Sequence, residues 1–154
     1  MCRVCYDGER SSNRRDLVLV RARVLVPGSA KGRLMRLSAP ISLWGGIDPG
    51  SGVIIDPRHP DYERSIVGTV LAIPGAVGSS SSSAIMLELL REGTAPAAVI
   101  MGCADAILAL GVLVSMELGH PVCPVLEVEF NALEEFSEGA LLTVTSEGMV
   151  LRTT

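Results

Sequence analysis

VGTVLAIPGAVGSSSSSAIMLELLR, residues 67–91, joins two apolar runs through Gly78 and five consecutive serines, Ser79 to Ser83. Residues 67–73 read as a buried strand, and residues 84–91 have helical composition and spacing, so the serines occupy a strand-to-helix turn. A helix start presents N–H groups without intrahelical partners. Together with the macrodipole and the serine hydroxyls, these groups can hold a carboxylate, a phosphate or a developing oxyanion. A serine run can equally be one helix cap followed by a flexible linker. A linker separates regions of different composition, however, whereas this run joins two strongly apolar elements inside one core.

Upstream, residues 1–15 are polar and arginine-rich and are expected to be a poorly ordered tail, leaving residues 16–154 as a single domain. Residues 16–26 alternate as a first strand, Pro27, Gly28 and Gly32 bracket a turn, and residues 34–37 form a second strand-like run. Residues 41–60 are dominated by Gly, Pro and Asp and carry Trp44, the only tryptophan. Such a loop is either a surface turn or a rigid shelf where backbone approaches a ligand. Downstream, Gly93 stops the helix and residues 95–101 form another buried strand. Asp105 caps a helix over residues 106–118, with Ile107, Leu110, Leu113 and Val114 on one face. Residues 121–128 supply a further strand and residues 132–136 a helical turn. Residues 141–145 and 149–151 form a closing hairpin around Ser146-Glu147-Gly148.

Composition narrows the function. Hydrophobic residues make up 48% of the chain, aromatics 3% and charged residues 19%, so the core is aliphatic and the class α/β. The net charge of −4, with no basic stripe interleaved with aromatics, argues against nucleic acid. No apolar stretch suits a membrane span and no secretory signal is evident, so the expected setting is soluble and cytoplasmic. Cys2 and Cys5 form an isolated C-x-x-C, weak evidence for metal without a second pair. Cys103 and Cys123 stand in apolar surroundings and read as small core residues, and nothing suggests a disulfide framework. His59, between Arg58 and Pro60, reads as a hydrogen-bonded structural residue.

Several motifs in order, Pro40-Ile41-Ser42-Leu43-Trp44-Gly45-Gly46-Ile47-Asp48-Pro49, Gly52-Val53-Ile54-Ile55-Asp56, His59-Pro60, Gly78-Ser79-Ser80, Ala95-Pro96-Ala97-Ala98 and Ile107-Leu108-Ala109-Leu110-Gly111, resemble the small, swivelling subunit of the aconitase X family. The resemblance runs from about Val18 to Val128. It implies a swivelling β/β/α domain related to the mobile domain of aconitase and isopropylmalate isomerase. It also implies a hydro-lyase that dehydrates a hydroxy acid only together with a large subunit. The iron–sulfur cluster would be held by that partner, with no metal bound by this chain.

On the same resemblance Ser79 is the catalytic base, its alkoxide abstracting the Cα proton. A serine hydroxyl is a poor base at neutral pH, so helix N–H groups and nearby cations must hold the alkoxide. Gly78, Ser80 and Ser81 would bind the substrate, with the Gly45-Gly46-Ile47-Asp48 loop beside them. Asp48 either hydrogen-bonds the turn, contacts substrate or caps its own loop, a structural role being slightly favoured. Trp44 contributes to the partner interface or braces the turn; alternatively it packs against Pro40 or Pro49.

Two positions depart from the family pattern. Many aconitase X sequences carry Gly-Arg before the Gly-Ser-Ser turn, where this chain has Ala76-Val77, and Arg-Glu-Pro-Asp is replaced by Gly102-Cys103-Ala104-Asp105. The missing arginine favours cis-3-hydroxy-L-proline as substrate over mevalonate 5-phosphate, whose phosphate would benefit from that cation. The same loss also supports an alternative, a non-catalytic binding module that retains the swivel fold. A serine hydrolase fits poorly, because the turn has no G-x-S-x-G pattern.

Overall fold

The computed structural model describes residues 19–78 and 80–153. In chain order the elements are β1 (Leu19–Arg21), β2 (Arg23–Val26), β3 (Ala30–Arg36), a short turn α1 (Leu43–Gly46), β4 (Ile47–Asp48), β5 (Val53–Ile54) and β6 (Val70–Ile73). Then follow α2 (Ser82–Glu92), β7 (Ala98–Met101), α3 (Ala106–Glu117), β8 (Val125–Glu127), a 3-10 turn (Phe130–Glu135), β9 (Leu141–Val144) and β10 (Met149–Arg152). Among the described residues no helix is long and apolar enough to cross a membrane.

One eight-stranded sheet has the order β1-β10-β9-β3-β6-β7-β8-β2, and β4 and β5 form a separate ribbon. Strands β3, β6, β7 and β8 run parallel, and α2 and α3 are the crossovers that parallel neighbours require. The remaining pairings, including the β9–β10 hairpin, are antiparallel.

The two ends of this sheet are consecutive in the chain. β1 pairs with β10 and β2 with β8, while Ala22 between them donates its N–H to the Gly148 carbonyl at 2.8 Å. Residues 19–26 thus supply both edges and close the sheet on itself, which removes two edges open to stray pairing. The first strand expected over residues 16–26 is therefore split into two pairings, and residues 16–18 lie outside the described residues.

Closure creates two cores. Val70 and Ala72 point inward with Leu34, Ile100, Leu142 and Phe136. Leu71 and Ile73 alternate with them and pack outward under α2 and α3, against Met86, Leu89 and Leu108. A strand with apolar matter on both faces is buried at every position, and so β6 and β7 read as continuous hydrophobic runs.

Three local expectations change. Gly32 lies inside β3, where a Cβ would come 2.6 Å from the Gly68 carbonyl oxygen, so it is required by close backbone approach rather than by a turn. The serine-turn helix begins at Ser82, with Ser82 itself buried. Helix α3 buries Leu108, Ala109, Gly111, Val112 and Ser115, so the face carrying Ile107, Leu110, Leu113 and Val114 points outward. Small residues won the inner face because α2 comes very close. A Cβ on Gly111 would lie 2.4 Å from the Ser83 carbonyl oxygen.

Candidate active site

The carboxyl ends of β3, β6, β7 and β8 share one edge, where ligands of parallel α/β sheets usually bind. The loops leaving those strands meet there, and the serine turn follows β6. Ile41 forms a parallel bridge with Ala76, its N–H donating to the Gly75 carbonyl at 3.4 Å, and the Val77 N–H donates to the Ile41 carbonyl at 3.0 Å. This short ladder straps the chain entering the Trp44 loop to the chain entering the serine turn.

Gly78 closes the contact. Its φ of +123° is one that side-chain-bearing residues rarely adopt. A Cβ there would also lie 3.0 Å from Ser42 Oγ, which itself donates to the Trp44 carbonyl at 3.0 Å. Trp44 is 64% exposed on the rim, and Gly45 has φ +73°. Gly46 is buried, with Ile41 Cγ1 3.3 Å from where its Cβ would be.

Ser79 lies outside the described residues. Ser80 is exposed, and its carbonyl accepts from Ser83 Oγ at 2.9 Å. Ser81 stands at the N-cap of α2 with helical dihedrals, φ −71° and ψ −16°. The first turn of α2 contains no acidic residue, which leaves the positive end of its dipole uncompensated by the helix itself. The neighbouring helix start differs: Asp105 Oδ1 accepts from the N–H groups of Ile107 (2.8 Å) and Leu108 (3.4 Å), as its capping position predicts.

Asp48 is committed to its own turn. The Ser51 hydroxyl donates to its Oδ2, the Gly50 N–H donates to Oδ1 at 3.4 Å, and its carbonyl accepts from the Gly52 N–H at 2.8 Å. The Ser51 hydroxyl holds the carboxyl below the usual carboxylate range.

A network absent from the sequence reading fastens the segment leading into Ile41. Asp61 is buried; its Oδ2 accepts from the Ser38 N–H at 2.8 Å and its Oδ1 from Arg64 Nη1 at 2.7 Å. Arg64 also pairs with Glu138 at 2.7 Å. Burial pushes the Asp61 carboxyl up, but the Ser38 N–H and the Arg64 guanidinium outweigh it and hold it below its ordinary value. His59 Nδ1 accepts from the Asp61 N–H at 3.1 Å, leaving Nε2 to donate to the Ala39 carbonyl at 3.2 Å. His59 is hydrogen-bonded as its sequence setting suggests, and the His59–Asp61 and Asp61–Arg64 links are local. Those to Ser38, Ala39 and Glu138 join residues distant in sequence.

Positive charge at this edge is sparse, while Asp48, Asp105 and Glu129 are acidic. Residues 37–48, 74–83, 102–105 and 128–130 contain no lysine or arginine. Arg36, at the end of β3, donates its guanidinium to the Leu133 and Phe136 carbonyls of the 3-10 turn. Val77, just before Gly78, is 55% exposed.

The cysteines divide. Cys103 is exposed, contrary to the core position expected from its apolar neighbours. It stands in the loop between β7, whose last residue Met101 is buried, and α3. Cys123 is buried as expected, and burial pushes its thiol up to about 12. Cys2 and Cys5 lie outside the described residues. Among the described residues no three His, Cys, Asp or Glu side chains gather to hold a metal ion.

Similarity to known proteins identifies the family and the fold. The sequence pattern of the aconitase X swivel domain matches residues 19–152. The chain is 47% identical over 100 residues to the cis-3-hydroxy-L-proline dehydratase of Pseudomonas aeruginosa, a match covering 65% of this chain and 17% of that protein. It is 41% identical over 96 residues to the phosphomevalonate dehydratase small subunit of Methanothermobacter thermautotrophicus, covering 62% of this chain and 73% of that one. Thermococcus kodakaraensis aconitase X in its holo-form superposes with a TM-score of 0.77 at 28% identity, covering 88% of this chain and 98% of that chain. The matched region thus spans about a sixth of the bacterial relative's length and nearly three quarters of the archaeal one. The α/β swivelling-domain fold expected from the sequence is the fold found.

Proposed function

The chain belongs to the aconitase X swivel-domain family, and from that premise we propose that it is the mobile small subunit of a two-chain dehydratase acting on a small hydroxy acid. The observation that carries this reading is the setting of the serine turn. It opens α2 at the carboxyl edge of the parallel strands, with no acidic residue in the helix's first turn, and the Ile41–Ala76 ladder braces it. An anion is favoured at such a helix start.

The substrate carboxylate would accept hydrogen bonds from the N–H groups at the start of α2 and from the Ser80 and Ser81 hydroxyls. Gly78, lacking a side chain, leaves room for the backbone to approach it, and the Gly45, Gly46 and Asp48 loop forms the adjoining wall. The Ser79 alkoxide, favoured by the same helix end, takes the proton from the carbon next to the carboxylate. The C–H electron pair becomes the carbon–carbon double bond as the hydroxyl on the neighbouring carbon departs, and that hydroxide and the proton taken by Ser79 together make up the water released. The described residues do not fit an iron–sulfur cluster. The cluster implied by the family would therefore be held by the large subunit, and this chain's part is orientation and proton transfer. A cytoplasmic setting suits the free thiols Cys103 and Cys123.

For the substrate we favour cis-3-hydroxy-L-proline. The loops around the turn carry no lysine or arginine, and a phosphate dianion bound without a cation forfeits the strong charge-assisted hydrogen bonds such groups usually make. One observation favours mevalonate 5-phosphate instead: the match spans 73% of an archaeal small subunit but 17% of the bacterial protein. In that case the large subunit supplies the missing cation.

Co-expression with the large subunit from the same source, anaerobic reconstitution with iron and sulfide, and assay of both substrates test the proposal. The expected result is dehydration that requires both chains and falls by at least about 100-fold in Ser79→Ala while the complex still forms. A cluster-containing complex that turns over neither substrate would favour the non-catalytic alternative or another hydroxy acid. Full activity in Ser79→Ala would remove that serine from the mechanism.

A further inference from the structure

Helix α3 carries no charged side chain from Ala106 to Met116. Its outward face nevertheless stands in solvent, with Leu110 51%, Met116 48% and Leu118 60% exposed. A helix lying over a sheet normally turns charged and polar residues outward, and a contiguous exposed apolar patch marks an interaction surface. The patch continues into a shallow groove between α3 and the start of α2, lined by Ser83, Ala84, Leu87, Leu110, Gly111 and Val114.

We propose that this face and groove are the surface on which the large subunit docks. The inference rests on the two-chain reading above and goes further by assigning the contact to named residues. Continuity with the serine turn identifies the occupant. Ser83, the last serine of the run and the second residue of α2, is a wall of the groove. Gly111 lets α3 pass directly beneath it, its would-be Cβ 2.4 Å from the Ser83 carbonyl oxygen. A partner that presents substrate to the serine turn therefore passes without a break onto Leu110 and Val114.

On α2 the patch is bounded by Glu88, Arg91 and Glu92. Arg91 pairs with both carboxylates, at 2.5 Å to Glu88 and 2.7 Å to Glu92, so this margin keeps one net negative charge. A second copy of this chain is a poorer occupant. A two-fold dimer uses the same patch on both partners and would bury both serine turns against each other. Apolar burial is also non-directional, which suits a subunit that must swing while staying attached.

The test measures the dissociation constant between the whole chain and the large subunit by calorimetry, for wild type, Leu110→Glu, Val114→Lys and the remote surface variant Lys31→Glu. Circular dichroism melts confirm that each variant is folded. We expect both α3 variants to bind at least about 30-fold more weakly, the effect of losing one interface hot spot, and Lys31→Glu to bind as wild type. In the unmodified chain, Met116 should become protected from oxidative labelling when the large subunit is added. Wild-type-like binding by both α3 variants, with Met116 labelled equally free and bound, overturns the docking surface and leaves the two-chain reading intact. A homodimer of the wild-type chain that Leu110→Glu splits would assign the face to a second copy instead. No binding by the wild-type chain overturns both readings.

Discussion

Gly78 and Ser42 sit so close that a Cβ on residue 78 would lie 3.0 Å from Ser42 Oγ, with the Gly78 backbone at φ +123°. Two separate constraints therefore act on one glycine. Gly78→Ala is expected to lose about 1–3 kcal/mol of stability through backbone strain and to shift the serine turn, so the dehydration proposed for the two-chain complex should fall more than tenfold. The double variant Ser42→Ala/Gly78→Ala removes the clash with the hydroxyl and keeps the dihedral strain. Thermal melts and kcat of both variants would apportion the two terms; an unaltered Gly78→Ala enzyme would show that the turn tolerates a side chain there.

Asp61 ties Ser38 to Arg64 through its carboxylate. Its folded-state pKa is held below the ordinary value of 3.8, so its stabilisation is fully present above the unfolded value and is lost as pH falls through the folded one. Asp61→Asn should cost about 1–3 kcal/mol at pH 7. The gap from wild type should narrow steadily in acid below about pH 4. Urea titrations at pH 7 and in acid would measure this, and a gap independent of pH would assign the loss to packing alone.

The thiols should behave oppositely. Cys103 is exposed and Cys123 buried, so a maleimide should modify the peptide carrying Cys103 in the native protein and reach Cys123 only on unfolding. The Cys123 thiol is raised from 9.0 to about 12 by burial. The native state thus keeps a proton that the unfolded state releases, and stability should be lost as pH climbs through that window. Cys123→Ala should flatten this alkaline limb of the stability profile.

Trp44 is the only tryptophan and is 64% exposed. If the Trp44 loop lies within the closing interface, its emission should shift to the blue on titration with the large subunit. An unmoved spectrum accompanied by measurable binding would place the loop outside the contact.

Much of the fold was legible because its signals are local. The aliphatic run of β6, the Gly93 stop, the Asp105 cap and the terminal hairpin each depend on residues a few positions apart. What escaped was set at a distance. From Ala106 to Val114 no polar residue marks the outer side of α3, so periodicity alone could not decide which apolar face goes inward, and the answer came from Gly111 meeting Ser83. Gly32 is dictated by the Gly68 carbonyl and Gly102 by the Pro74 carbonyl, both far along the chain. At the site, the glycine and serines of the turn and the loop beside it were visible. The Asp61 bond to Ser38 and the strap from Ile41 to Ala76 were not, because they join segments 23 or more residues apart.

The closure of the sheet by residues 19–26 also sets when the protein can be finished. Leu19 pairs with Leu151 and Arg21 with Met149, so on the ribosome the first strand leaves the exit tunnel long before its partner exists. The parallel core of β3, β6, β7 and β8 can assemble during synthesis, but the seam cannot close until translation has passed residue 152. Such long-range pairing is slow to form. The nascent domain therefore waits with an open strand edge, the interval in which a holding chaperone has most to offer it.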